Sequence, residues 1–257
     1  MVAAAGDKER TMNTFARGMG MAACAAAILS GAVAGAGTVP GFFFADGFDR
    51  PASTDMGPYW TETWSDWRVE GSVARSALGS ESALMIVNGV ETPSPYLEVT
   101  VRHDGTIRPT YVALVSLYLD NAHCVFVKVQ DYDLDGRYDT AYFYLGNNSH
   151  VPWGDMEHGY DDWNDLAPYF SEARIATTII GDQVFLAIDR DMDGDVDENS
   201  TFVRDAIPVA ELGLGIGLGG YNNAWADDFL AVPEPATLAL MGLGAAVLVA
   251  TRRKHRV

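Results

Sequence analysis

Two short segments of the chain repeat one spacing of aspartates. The first covers residues 131–139 and the second residues 189–197, and both read D-x-D-x-D-G-x-x-D. Carboxylates at positions 1, 3, 5 and 9, with a backbone carbonyl at position 7, form a cage of oxygens that suits a hard cation such as Ca²⁺. The glycine at position 6 permits the sharp turn. The residues that the pattern assigns to metal are Asp131, Asp133, Asp135, Arg137 and Asp139 in the first segment and Asp189, Asp191, Asp193, Asp195 and Asp197 in the second.

Neither segment is a complete EF-hand, because position 12 is Tyr142 in the first and Ser200 in the second instead of a bidentate Glu. Two carboxylates 4 Å apart repel by roughly 1 kcal/mol in water, and four in one loop favour a bound cation. The alternative is a solvated acidic turn, since Asp and Gly favour turns without any metal. We therefore expect up to two Ca²⁺ ions, one in each loop.

Strand-like residues surround the first loop, because residues 125–129 precede it and residues 141–145 follow it with β-branched and aromatic side chains. The arrangement predicts a hairpin of two strands joined by the acidic loop. It resembles the calcium hairpin loops of β-propeller repeats and other extracellular modules.

The rest of the body also has the pattern of β-strands. Leu97, Val99 and Val101 alternate with polar residues, and Gly, Asp and Asn separate successive apolar runs by about 8–15 residues. Only residues 161–172 have a helix-like composition, and Pro168 interrupts them. We therefore predict an all-β sandwich or barrel with strands at residues 96–102, 111–119, 125–129, 140–145, 175–180, 184–188, 212–218 and 225–231.

Motifs at both ends of the body resemble concanavalin A-like, laminin-G-like jelly rolls of bacterial surface proteins. They are ADGFDRP at 45–51, GPYW at 57–60, DWRVE at 66–70 and GGYNNAWADDF at 219–229. The resemblance implies a jelly-roll β-sandwich in which the first and last strands lie side by side. Lectins, glucanases and inert scaffolds all share this fold, so the fold assigns no function.

The ends of the chain differ from the body in charge. Residues 1–36 carry a net charge of +1 and residues 233–257 one of +3, so the body between them carries −22 of the total of −18. This acidity excludes nucleic acid as a partner, because phosphate binding needs clustered Lys and Arg. Residues 1–36 have the small, apolar run and the Ala-x-Ala sites of a signal peptide, a helix that signal peptidase removes, with Met12 as an alternative start.

The C-terminal end, residues 232–257, combines a Pro-Glu-Pro triplet, an apolar helical run and a basic cluster. The residues concerned are Pro233, Glu234, Pro235, Arg252 and Arg253. This order resembles the PEP-CTERM sorting signal of Gram-negative bacteria. The resemblance implies that an exported protein is held in the inner membrane by this segment, that an exosortase removes the segment, and that the protein then reaches the cell surface or an exopolysaccharide matrix.

Catalytic patterns are missing from the sequence, which contains no G-x-S-x-G, H-E-x-x-H, P-loop or E-x-D-x-x-E motif. Cys124 lies in a strand-like run and is expected to be a buried, inert thiol. Of the histidines in the body, we expect His123 on a strand and His103, His150 and His158 in surface loops. Aromatic rings stack on sugars, and the candidate glycan contacts are Trp153, Tyr160 and Trp163, although these residues also suit the packing of a long connection.

The sequence therefore predicts an exported, non-enzymatic surface or biofilm-matrix protein. It consists of a signal peptide (1–36), one calcium-binding β-sandwich (37–231) and a sorting segment (232–257). Two alternatives stay open: a carbohydrate-binding module that recognises an exopolysaccharide, and a polysaccharide hydrolase.

Overall fold

The computed structural model describes residues 37–39, 43–77, 82–121, 123–147, 151–152, 163–205, 207 and 209–232. Both predicted terminal helices lie outside these residues. Among the described residues, no helix has the length and apolar character needed to cross a membrane. The strands, in chain order, are β1 (Gly37–Val39), β2 (Phe43–Asp46), β3 (Trp60–Trp64), β4 (Trp67–Val69), β5 (Ala74–Ser76), β6 (Ser82–Glu91), β7 (Tyr96–Arg102), β8 (Thr110–Asp120), β9 (His123–Asp131), β10 (Tyr138–Asn147), β11 (Val151–Pro152), β12 (Trp163–Phe170), β13 (Glu172–Ile180), β14 (Gln183–Asp189), β15 (Thr201–Arg204), β16 (Gly215–Tyr221) and β17 (Trp225–Val232).

These strands form two antiparallel sheets, which confirms the all-β sandwich. The first sheet has the order β1-β2-β17-β7-β13-β14-β15, with β4 and β5 attached beside β17. The second has the order β11-β10-β9-β8-β16-β6-β3, with β12 paired to β10. A short 3-10 helix, Val209–Glu211, precedes β16.

Alternating apolar residues of both sheets fill the space between them. In β7, Leu97, Val99 and Val101 are fully buried and meet residues such as Leu114 and Val127 of the second sheet in one core. Burial of each such side chain stabilises the fold by about 1.5–3 kcal/mol. Within the described part of the chain, Cys124 is a free, buried thiol, as predicted, and burial raises its pKa.

The first strands lie beside the last one, as the jelly-roll resemblance implied. In β2, Phe44 and Asp46 pair with Ala231 and Phe229 of β17. The Asp46 carboxylate also accepts hydrogen bonds from Arg50 at 2.7 Å and from the Trp60 indole at 2.8 Å. These bonds fix the opening motif against the sheet.

Two predictions of secondary structure need correction, one of a helix-like segment and one of a strand. Residues 163–170, predicted to be helix-like, form strand β12, which pairs on one side with β10. Pro168 fits there because the register shifts between the pairs Asp165–Thr140 and Phe170–Tyr138, so the proline has no ladder bond to lose. The strand predicted at 212–218 begins only at Gly215. Before it, the backbone at Gly213 lies so close to the Tyr118 carbonyl that a Cβ would be 2.1 Å from its oxygen, so the position needs glycine.

Candidate metal sites

The first acidic loop connects β9 to β10 in the second sheet, so it is the predicted hairpin. Asp131, the last residue of β9, is fully buried. Its carboxylate accepts the backbone N–H of Asp135 at 3.2 Å and that of Gly136 at 3.1 Å, which folds the loop back over the strand end. Gly136 has a φ of +86°, a conformation that suits glycine.

Three carboxylates of this loop converge. Oxygens of Asp131, Asp133 and Asp139 all lie within 4.8 Å of one another. Burial raises the pKa of Asp131, and partial desolvation together with the neighbouring Asp139 raises that of Asp133. The group is a set of hard oxygen donors, which is the donor chemistry of a Ca²⁺ site.

Asp135, at position 5, does not point into this group. Its carboxylate accepts the Arg137 backbone N–H at 2.9 Å and the Arg137 guanidinium Nε at 2.9 Å. The guanidinium lowers the pKa of Asp135. In this structure, therefore, the residue at position 7 neutralises the carboxylate at position 5.

The second loop follows β14 in the first sheet and leads to β15, which pairs with β14. Here oxygens of Asp189, Asp191 and Asp193 lie within 4.8 Å of one another. Asp189, at the end of β14, is fully buried, and its Oδ2 accepts the Gly194 N–H at 3.0 Å. Burial raises the pKa of Asp189, while Arg174, 3.9 Å away, opposes the shift.

One oxygen of this loop stands out. Oδ1 of Asp189 is buried and accepts no hydrogen bond. A buried carboxylate oxygen without a donor costs free energy, and buried carboxylates are normally paired or bind a metal. The orphaned oxygen beside two further carboxylates fits a cation ligand.

Asp197, at position 9, is held outside the second group. Its Oδ2 accepts the Arg190 backbone N–H at 2.7 Å and the Arg190 guanidinium at 3.2 Å. The same guanidinium donates to the carbonyls of Pro168 and Leu166 in β12, each at 2.9 Å. Arg190 therefore fixes one carboxylate and ties the loop to β12 of the other sheet.

His103 was missed by the sequence reasoning, which placed it in a surface loop. Its side chain is fully buried, with Nε2 3.2 Å from Oδ2 of Asp131 and the ring against Tyr138. Its Nδ1 accepts the Gly105 N–H at 3.0 Å, so the proton of the neutral ring is on Nε2, beside Asp131. Burial lowers the pKa of His103. The alternation of Leu97, Val99 and Val101 continues to position 103 and could have revealed its burial.

The remaining predicted site residues fall in three groups. Asp195 is exposed in the second loop, outside the converging carboxylates, and the pattern assigns it only a backbone carbonyl. Trp153 and Tyr160 lie outside the described residues, as do Pro233, Glu234, Pro235, Arg252 and Arg253. Trp163 begins β12, and only its backbone is described. His123 begins β9, as predicted for a strand residue, whereas His150 and His158 are outside the description.

The end of the chain provides the clearest comparison. Residues 231–254 match the family model of the PEP-CTERM protein-sorting motif. The chain carries a PEP-CTERM sorting signal. The match marks an exported protein that is anchored in the membrane for a time before cleavage. It begins at Ala231, so the motif starts within the last two residues of β17.

No curated protein matches the chain significantly in sequence. Several solved β-sandwiches are similar to it in structure. A carbohydrate-binding module, CBM66 of Bacillus subtilis, has 14% identity and a TM-score of 0.44, with 68% of this chain and 95% of that one covered. The exoplasmic/lumenal domain of VIP36, in a Ca²⁺- and mannose-bound form, has 11% identity and a TM-score of 0.46 over 68% and 83%. An endo-acting O-glycanase structure from human gut microbiota has 12% identity and a TM-score of 0.49 over 74% and 98%.

Proposed function

We propose that this PEP-CTERM protein is a non-enzymatic component of a bacterial cell surface or extracellular matrix, with two Ca²⁺ ions stabilising its sandwich. The orphaned Oδ1 of Asp189 beside Asp191 and Asp193 carries the calcium part of the proposal. In the first loop the converging oxygens of Asp131, Asp133 and Asp139 support it. A signal peptidase and an exosortase would remove the two ends.

The loops hold the residues that would bind calcium, and the bound ion would supply charge compensation rather than chemistry. Asp131 and Asp189 anchor the two sites, because each is buried at a strand end and ordered by loop N–H groups. Asp135 and Asp197 would join the ligands once they leave Arg137 and Arg190. The ions would thus fasten two long hairpins in a body that has one cysteine and therefore no internal disulfide.

Thermal melting of the exported chain, in chelator and in millimolar calcium, tests this part. Extracellular sites commonly have a Kd of about 10⁻⁴–10⁻³ M. At about ten times Kd each site adds roughly 1.4 kcal/mol to the free energy of unfolding, which corresponds to several degrees for two sites. Changing Asp133 and Asp135 to Asn should remove about half of the shift, and adding Asp191→Asn and Asp193→Asn should remove the rest.

Magnesium is the matched control ion, because its small octahedral shell fits such loops poorly and it should raise the melting temperature less. Equal melting curves in chelator and calcium, with no heat of calcium binding in calorimetry, would show that the loops are only acidic turns.

Sorting is tested separately, by the mass of the protein recovered from culture. In cells with a working exosortase the mature chain should lack the residues that follow the Pro-Glu-Pro triplet. Glu234→Ala or Pro235→Ala should leave unprocessed protein in the membrane fraction. Recovery of an intact tail from the wild-type chain would contradict the sorting proposal.

A carbohydrate-binding role is the second candidate, and one feature of the first loop favours it. Tyr132 is 66% exposed in the loop, and the Arg137 guanidinium of the same loop lies 5.6 Å from the ring centre of Tyr169, an exposed residue of β12. Exposed tyrosines next to carboxylates suit the faces and hydroxyls of a sugar. A glycan array with the wild-type chain and a Tyr132→Ala, Tyr169→Ala variant tests this role, and a reducing-sugar assay tests for hydrolysis.

A further inference from the structure

The sorting tail leaves the sandwich at one defined end. Strand β17 ends at Val232, which pairs with Tyr96, the first residue of β7. On the other side of β7, Thr178 of β13 also pairs with Tyr96. We call this the tail end, and it includes the turn at residues 181–182 between β13 and β14.

Both acidic loops lie at the opposite end. Arg102, the last residue of β7, pairs with Trp225 at the beginning of β17. In β13, Glu172 pairs with Arg102, and Arg174, two residues later in the chain, pairs with Asp189. His103, which follows Arg102, contacts Asp131 of the first loop. We call this the loop end, and the seven residues of β7 separate it from the tail end by about 20 Å.

The chain between the sandwich and the apolar run is very short. Residues 233–235 stand between Val232, buried at the end of β17, and the apolar run that begins at Ala236. Three residues reach at most about 10 Å. The tail end must therefore lie close to the lipid surface whenever the apolar run is in the membrane.

We propose that the membrane-anchored precursor stands with its tail end against the lipid surface and its loop end facing away. The inference rests on the proposed anchoring by the tail. It goes beyond that proposal by assigning the lipid surface to one end of the sandwich.

The surface of the loop end agrees with this orientation. The nine aspartates of the two loops lie there. Lipid phosphates would repel these carboxylates at close range, whereas the outward orientation keeps them in water.

Cysteine labelling of the full chain in spheroplasts tests the orientation, in a host without an exosortase. The variants are Asp182→Cys at the tail end and Ile107→Cys at the loop end, and both positions are exposed. The native Cys124 is buried and does not react, and Cys24 of the N-terminal segment is changed to Ser in every variant. With a bulky, membrane-impermeant maleimide, the D182C variant should label several-fold more slowly than I107C. In detergent, and in a chain that ends at Val232, the two rates should be equal.

Each outcome is decisive. Equal rates in the membrane, or slower labelling of I107C, would overturn the orientation while leaving the anchoring intact. If the full chain is absent from the membrane fraction, the anchoring itself fails and the orientation fails with it. Glu91→Cys, at a second exposed tail-end position at the end of β6, should label as slowly as D182C. The melting temperature of each variant checks its folding.

Discussion

The two acidic loops share one spacing of aspartates. They differ in which carboxylate is bound by an arginine and thereby kept out of the converging group. In the first, Arg137 holds Asp135 at position 5, and oxygens from positions 1, 3 and 9 converge. In the second, Arg190 holds Asp197 at position 9, and oxygens from positions 1, 3 and 5 converge. The residues that the motif leaves unspecified therefore decide which aspartates are free.

The two arginines also differ in their surroundings. The Arg137 side chain is 51% exposed; it donates a hydrogen bond to Asp135 of its own loop and lies over the ring of Tyr169 in β12. The Arg190 side chain is 12% exposed and reaches two carbonyls of β12 as well as Asp197. The hydrogen bond of the exposed Arg137 stays within its loop, whereas those of the mostly buried Arg190 also join its loop to β12.

Arg190→Ala should give the largest effect. The carbonyls of Leu166 and Pro168 lose a charged donor, and such bonds stabilise by about 1.5–3 kcal/mol. We expect the free energy of unfolding in chelator to fall by about 2–3 kcal/mol, measured by urea denaturation. Calcium should stabilise this variant more than the wild type, because Asp197 becomes free to bind the ion.

The matched control is Arg137→Ala, which should leave the stability in chelator unchanged because an exposed ion pair contributes little. Equal losses of stability in the two variants would contradict the difference between the loops.

A smaller effect is expected from Arg137→Gln on calcium affinity. The change removes a positive charge and frees Asp135, so the Kd of the first loop should fall about fivefold. Calorimetry in a background with Asp191→Asn and Asp193→Asn isolates this loop. The equivalent change at Arg108, which pairs with Asp104 outside the motif, should not alter the Kd; an unchanged Kd in both variants would show that Asp135 is not a ligand.

The smallest effect concerns Asp227 and Asp228, an acidic pair in strand β17 rather than in an acidic loop. Burial, and next the Asp228 carboxylate, raise the pKa of Asp227 to about 7. A carboxyl group whose folded pKa is raised favours the fold at low pH, and this contribution is lost as the pH rises towards 7. Asp227→Asn should therefore raise the melting temperature clearly at pH 8 and little at pH 4.5.

The gain should be the same in chelator and in calcium, since the pair lacks the loop geometry. A gain that calcium abolishes would mean that this pair, too, binds the ion, and that the D-x-D-x-D-G-x-x-D spacing is not the deciding feature.

Local patterns predicted much of the fold. The alternation at Leu97, Val99 and Val101 is a property of one strand, and β7 appears as predicted. The hairpin at residues 131–139 is also local, since its strands are neighbours in sequence. Burial of the first aspartate in each loop follows from its position at the end of a core strand.

Contacts between distant residues could not be predicted in this way. Arg190 reaches Leu166 and Pro168, which lie 24 and 22 residues earlier, only because β12 crosses near the second loop. The proximity of His103 to Asp131 likewise depends on how the two sheets stack. The motif spacing identifies the aspartates. Which of them an arginine keeps out of the converging group depends on contacts that exist only in the folded chain.

The position of β17 has a consequence for the time at which the protein can fold. Among the strands of the described residues this one is synthesised last, yet it lies between β2 and β7 in the middle of the first sheet. Pairings of such high sequence separation form slowly, and here β2 and β7 have no shared partner until residue 232 arrives. The first sheet can therefore close only when the chain is available as far as residue 232, directly before the Pro-Glu-Pro triplet.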